Sequence, residues 1–186
     1  MRKLFRNTGH TLVEVMVALF LTGIISIAGL RFYASVHNHT LTQGEIGDMQ
    51  QAGRNNLQEI VRTLRKAGYK VGAHAPYRIA GDTLYVYYND TQPIDTVAYY
   101  VDHSQQVSSS DGSPIPTGLL MKKVNSLYAE VYGDQIDSIS FQALSASVVE
   151  ITLTVGTMRP DEDFVDNEGV RNLTFTERVQ IRNLNL

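Results

Sequence analysis

The chain contains no cysteine and no tryptophan, and none of its five prolines stands before Pro76. Without cysteine there is no disulfide framework, no thiolate metal site and no cysteine nucleophile. Without proline the first seventy-five residues hold nothing that must break a helix. Positive charge is in short supply: 16 Lys and Arg face 19 Asp and Glu, for a net charge of −3. Three of those cations, Arg2, Lys3 and Arg6, lie in the first nine residues, which carry no acid. The remainder is more acidic still, so no general nucleic-acid binding is expected, because such affinity comes from many Lys and Arg contacts to phosphate. The length of 186 residues accommodates one medium domain plus an anchor.

What is present begins with a long apolar run. From Val15 to Leu30 only Thr22 and Ser26 are polar, with glycines at 23 and 29. Extended from Leu12 to Tyr33, the run meets the roughly 20 residues that a membrane helix needs. Glu14 stands inside its first turn. An ionised carboxylate in hydrocarbon costs about 2.5–3.5 kcal/mol on insertion scales and calls for a partner. A secretory signal peptide cut near Ser26-Ile27-Ala28, or a plain signal anchor, would leave Glu14 without a purpose. Cleavage between Gly9 and His10 supplies one. It creates an α-amine one helical turn from Glu14, and in a staggered array of parallel helices that amine can meet the carboxylate of a neighbour. Such a pair enforces register, because removing one partner strands a charge.

The basic leader, Gly9, Thr11-Leu12-Val13-Glu14 and the apolar helix resemble the N-terminus of type IV prepilins and of type II secretion pseudopilins. The resemblance implies cleavage after Gly9 by a prepilin peptidase and methylation of the new N-terminus at His10. The family usually has Phe or Met where this chain has His10.

Helical periodicity continues past the apolar run. Ile46, Met49, Gly53, Leu57, Ile60, Leu64 and Ala67 recur at steps of three and four and form one stripe. Gly68 ends the helix, with Arg65 and Lys66 placed to suit the macrodipole. A helix from His10 to Ala67 would be about 87 Å long at about 1.5 Å per residue, too long for a domain of this size to bury. Gly44, Gly47 and Gly53 each cost about 1 kcal/mol relative to alanine. They imply either local bending or close packing.

After Gly72 the period changes to two. Strands are expected at Thr83–Tyr88, Thr96–Val101, Leu119–Lys123, Leu127–Tyr132, Asp137–Ala143, Val148–Val155 and Arg171–Arg182. Turn signals stand at Ala80-Gly81-Asp82, Asn89-Asp90, Ser108–Gly112 and Gly133-Asp134. One-face alternation implies an antiparallel sheet with one side covered, and the helical stripe supplies the cover. The expected class is α+β: a long N-terminal helix, membrane half plus amphipathic half, packed on an antiparallel sheet. The expected divisions are a leader at 1–9, a hydrophobic membrane or filament-core helix at 10–33, the amphipathic half at 34–70 and the sheet domain at 71–186.

The segment Asn56–Tyr69, followed by Asp82-Thr83-Leu84, Asp95–Tyr100, Ile136–Phe141 and Val179–Leu184, is similar to PilW-type minor pilins. The J-type minor pseudopilins share this layout. The resemblance implies a structural subunit that primes pilus assembly or sits at or near the filament tip, with a pseudopilin or a membrane-tethered binding or sensor domain as alternatives. Implied partners are the prepilin peptidase, other minor and major pilins, the inner-membrane assembly platform and the lipid bilayer. The implied location is the bacterial inner membrane, with the C-terminal domain in the periplasm and then at the pilus or cell surface.

Tests for chemistry return little. His37 and His39 lie two apart and point to different sides of a helix. No His-Glu-x-x-His, phosphate loop or nucleophile elbow occurs. Asp161, Asp163 and Asp166 lie in an acidic run that could supply calcium ligands, but Val165 stands where an EF-hand-like loop needs an oxygen. The tyrosines at 85, 87, 88, 99 and 100 suit strands. No cofactor, metal or enzymatic activity is expected. Mass spectrometry of the membrane form should find a mature chain starting at His10; a start at Met1 or near Leu30 would overturn the cleavage reading.

Overall fold

A computed structural model describes residues 11–89, 94–104, 117–125, 127–158, 164 and 169–183. The leader, Gly9, His10, the Ser108–Gly112 turn and the acids Asp161, Asp163 and Asp166 lie outside the described residues. The chain divides into two compact units, Met1–Gln43 and Gly44–Leu186.

Helix α1 spans Leu12–Lys66, 55 residues. Its end follows from local chemistry. The Ala67 amide turns back to the Leu64 carbonyl at 3.0 Å, a tightened last turn, and Gly68 then takes φ +81°, which an L side chain resists. Gly68 also has no room for a side chain, because the Asn183 carbonyl oxygen stands where a Cβ would be. Its amide donates to Tyr87 at 2.9 Å, so the stop is welded to the sheet.

Among the described residues the sheet has seven antiparallel strands in simple sequence order. They are β1 (Tyr77–Ala80), β2 (Thr83–Tyr88), β3 (Asp95–Asp102), β4 (Gly118–Val124), β5 (Ala129–Ser145), β6 (Val148–Gly156) and β7 (Asn172–Gln180). Periodicity alone did not reveal β1. It is four residues long and exists by pairing Tyr77 with Val86 and Ala80 with Thr83 across the two-residue Gly81-Asp82 turn. The strands expected at Leu127–Tyr132 and Asp137–Ala143 are one element, β5. The Gly133-Asp134 signal is therefore no turn. It marks an irregularity next to Gln135, at φ 62°, where the β4 register slips and the strand runs on to pair with β6. Gly133 is needed there because the Asn56 side chain occupies the space that a Cβ would fill.

The stripe on α1 supplies the core. Ile60, Leu64 and Ala67 are fully buried, and they join Leu84, Val86, Tyr99, Leu120, Ile151 and Leu153 from the strands. Burying a side chain such as Ile60 contributes roughly 1.5–3 kcal/mol. Two polar contacts orient the packing. Thr63 and Tyr99 share a buried hydrogen bond of 2.8 Å, and Lys122 on β4 meets Glu59 on α1 at 2.7 Å. Glycine at 53 reflects close packing: a Cβ there would strike the Phe175 ring of β7. Gly44 and Gly47 face open space, and the helix runs through them unbroken.

The opposite face of the sheet is not uniformly wet. Ala98, Leu119 and Met121 point away from α1 by register and are nonetheless buried. Two outcomes follow for stability. Gly53→Ala should destabilise the unit by about 1–3 kcal/mol through overpacking. In a Phe175→Leu background the same change should stabilise by up to about 1 kcal/mol, because only the helix-propensity gain remains; denaturant midpoints of the native chain and the three variants measure this.

Burial and the surrounding charges raise the Tyr99 phenol above its ordinary range. The unfolded chain therefore loses this proton near pH 10 while the folded chain keeps it. This contribution is complete below pH 10 and drains away as pH rises. Tyr99→Phe should cost about 1–2 kcal/mol at pH 7, and the gap to the native chain should narrow above pH 10 in denaturant titrations.

Candidate functional site

The start of α1 is built by Thr11. Its hydroxyl accepts from the Glu14 amide at 3.3 Å, and its carbonyl accepts from the Val15 amide at 3.2 Å. Thr11 is thus the N-cap, and Glu14 is the acid in the first turn. The quartet Thr11-Leu12-Val13-Glu14 follows the capping-box pattern of a hydroxyl followed three residues later by a glutamate. A carboxylate at this place also suits the positive end of the helix dipole. Glu14 stands out in the sequence as a charge in an apolar run, and the Thr11 cap is legible there too, as a hydroxyl three residues before an acid.

From Leu12 onward the helix presents apolar side chains in every direction. Leu12 is 78% exposed, Phe20 68% and Leu30 69%. The most apolar 18-residue window has a mean hydropathy of 2.2, and none of it is buried within the chain. By length and composition this helix can cross a membrane, as a spanning or signal-like segment. A surface apolar on all sides is the mark of a helix that meets lipid or other helices rather than water.

The remaining candidates come apart in space. Tyr88 and Tyr99 face α1, whereas Tyr85, Tyr87 and Tyr100 lie on the other side of the sheet, so the five tyrosines form no single surface. His37 stacks on Tyr33 with ring centroids 6.2 Å apart. Among the described residues no three His, Asp or Glu side chains come together to hold a metal ion.

Residues 4–30 match the prokaryotic N-terminal methylation motif. The match takes in the apolar part of α1, and the antiparallel sheet covers the later part of that helix. The fold is type-IV-pilin-like. No characterised protein and no solved structure gives a significant match to the chain. The pilin-like arrangement explains why the exposed run is confined to the first part of α1: only the part from about Ile46 onward has a sheet to cover it.

The cap can be tested apart from assembly. Thr11→Ala should weaken the first turn by about 1 kcal/mol, read as roughly fivefold faster amide exchange at Glu14 and Val15 in micelles; Thr11→Ser should restore protection.

Proposed function

We propose that this pilin-like chain is a minor type IV pilin, a structural subunit that primes pilus assembly or sits at or near the filament tip. The observation that carries the reading is the coincidence of a basic leader with a methylation motif over residues 4–30 that holds Gly9 and a helix capped at Thr11 with Glu14 in its first turn. The leader stays in the cytoplasm by the positive-inside rule, and the sheet domain enters the periplasm. Prepilin peptidase cuts after Gly9 and methylates His10. The exposed run from Val15 to Leu30 is held in the inner membrane. At the assembly platform it then exchanges lipid for the helices of other minor and major pilins.

In this scheme Glu14 is an acid that meets an amine present only after cleavage. Within a helix bundle, loss of the carboxylate leaves the His10 amine unpaired in a low-dielectric setting. Breaking such a pair costs about 3–5 kcal/mol. The capping bond, donated by the Glu14 amide to the Thr11 hydroxyl, keeps the helix start regular up to the residue after the new terminus whatever side chain stands at 14.

Glu14→Ala should leave a folded, membrane-inserted protein that is absent from sheared filaments, and Glu14→Asp should restore incorporation in part. Filaments that incorporate the alanine variant as well as the native chain would overturn the register role. Deletion of the gene should remove surface fibres without blocking exoprotein release; the reverse result would assign the chain to a type II secretion pseudopilus.

A further inference from the structure

The two edges of the sheet differ. At one edge β1 is four residues long, and its Tyr77 hydroxyl donates to the Ser145 carbonyl of β5 at 3.3 Å. At the other edge β7 is nine residues long and pairs with β6 without a register shift. Short length, bulges, proline and lysine are devices that blunt an edge against further pairing. The sequence of β7 has no proline, glycine or lysine, and its ladder has no bulge.

The backbone groups left over on β7 can be assigned. The Thr157 amide donates to the Arg171 carbonyl at 3.0 Å, and the Ile181 amide donates to the Ser147 carbonyl at 2.8 Å. Both bonds extend the β6–β7 register beyond the ends of the strands. Bonded and non-bonded pairs alternate along an antiparallel ladder. The odd-numbered residues of β7 therefore bond β6, and Thr174, Thr176 and Arg178 turn their N–H and C=O away from it. The side chains agree: Thr154 and Thr174 form a non-bonded pair, in which side chains lie closer, and their hydroxyls are 3.1 Å apart. Among the described residues no group is bonded to these outward amides and carbonyls.

The side facing α1 is unfinished beside the same edge. Leu173 and Phe175 are only partly buried, as is Ile46, which lies about two helical turns before the Gly53 that meets Phe175. Glu177 faces the same way and is also partly buried. It lines a depression with Arg62 and Arg65, yet among the described residues no cation forms a salt bridge with it. An inward charge is the one blunting device that β7 does carry.

We infer that the β7 edge takes up an extended strand from a different protein chain, antiparallel to β7, with apolar side chains opposite Leu173, Phe175 and Val179 and a cation opposite Glu177. The outward groups of Thr174, Thr176 and Arg178 supply main-chain bonds, and the alternate inward side chains supply selectivity. Antiparallel pairing continues the order of the whole sheet and is slightly the more stable arrangement. Glu177 disfavours a strand with an apolar or acidic residue at its place and accepts one with Lys or Arg. A second copy of this chain does not fit. Its β1 has four residues for an edge of nine. Pairing β7 with its own copy end for end puts Glu177 opposite Phe175 rather than a cation. The two-fold axis of that pair also sets the sheet-covered parts of the two α1 helices in opposite directions, which does not suit chains that enter one membrane from the same side.

The test uses the full chain in nanodiscs of zwitterionic lipid and a labelled peptide as long as β7, read by fluorescence anisotropy. The peptide carries Thr at every outward place and Val, Lys, Leu and Val inward, in the order that stands opposite Val179, Glu177, Phe175 and Leu173. Native protein should bind it at least about tenfold more tightly than a scrambled peptide of the same composition. Thr176→Pro removes an outward N–H and no bond to β6, a place where an edge strand tolerates proline. It should weaken binding about tenfold and leave amide exchange in β6 unchanged. Glu177→Lys should also weaken binding about tenfold, and a peptide with Glu in place of its Lys should restore it. No preference for the ordered peptide, or undiminished binding by both variants, would overturn the proposal. So would a dimer of the native chain that Thr176→Pro abolishes, because the edge would then belong to a second copy. Glu14→Ala should bind the peptide as the native chain does, so the outcome is independent of the assembly reading.

Discussion

Everything in the sheet-bearing unit depends on one face of α1 being removed from water. Ile60, Leu64 and Ala67 have no exposure at all, and Met49 and Leu57 are nearly as deep. Each large apolar side chain there contributes on the order of 2 kcal/mol of burial, and the strands are arranged to collect it. β2, β3, β4, β5 and β6 all turn apolar residues toward this stripe. Where the helix comes closest, the partner gives way by having no side chain or an offset one. Gly53 yields to Phe175, and Gly133 yields to Asn56. The buried Thr63–Tyr99 hydrogen bond and the Glu59–Lys122 pair then fix rotation and register, a task that apolar contact alone does loosely.

The same helix meets a different requirement before Gly44. Its side chains from Leu12 to Leu30 are exposed and apolar on every side, a surface that water disfavours and that hydrocarbon or sister helices suit. A single element therefore serves two solvents. The capped start at Thr11 belongs to this part of the chain: in a medium without water, orphan amides at a helix end must find acceptors within the protein.

Much of this was legible before any coordinates. The stripe from Ile46 to Ala67, the stop at Gly68, the α+β class and six of the seven strands follow from periodicity and from glycine's tolerance of positive φ. The cap at Thr11 was also written in the sequence, as a hydroxyl three residues before an acid.

By itself the sequence determined which residues seek burial and with what period, because hydrophobic spacing is a local property of the chain. It determined in the same way where the helix stops. Only the tertiary structure decided that Gly133-Asp134 would be an irregularity inside one 17-residue strand rather than a turn, since the choice depends on having β4 and β6 to pair with on either side. It likewise decided that Tyr77–Ala80 would be a strand, that five neighbouring tyrosines would part to opposite faces, and that Gly53 would serve packing. These are matters of which partner lies across the interface, and no local pattern carries that information.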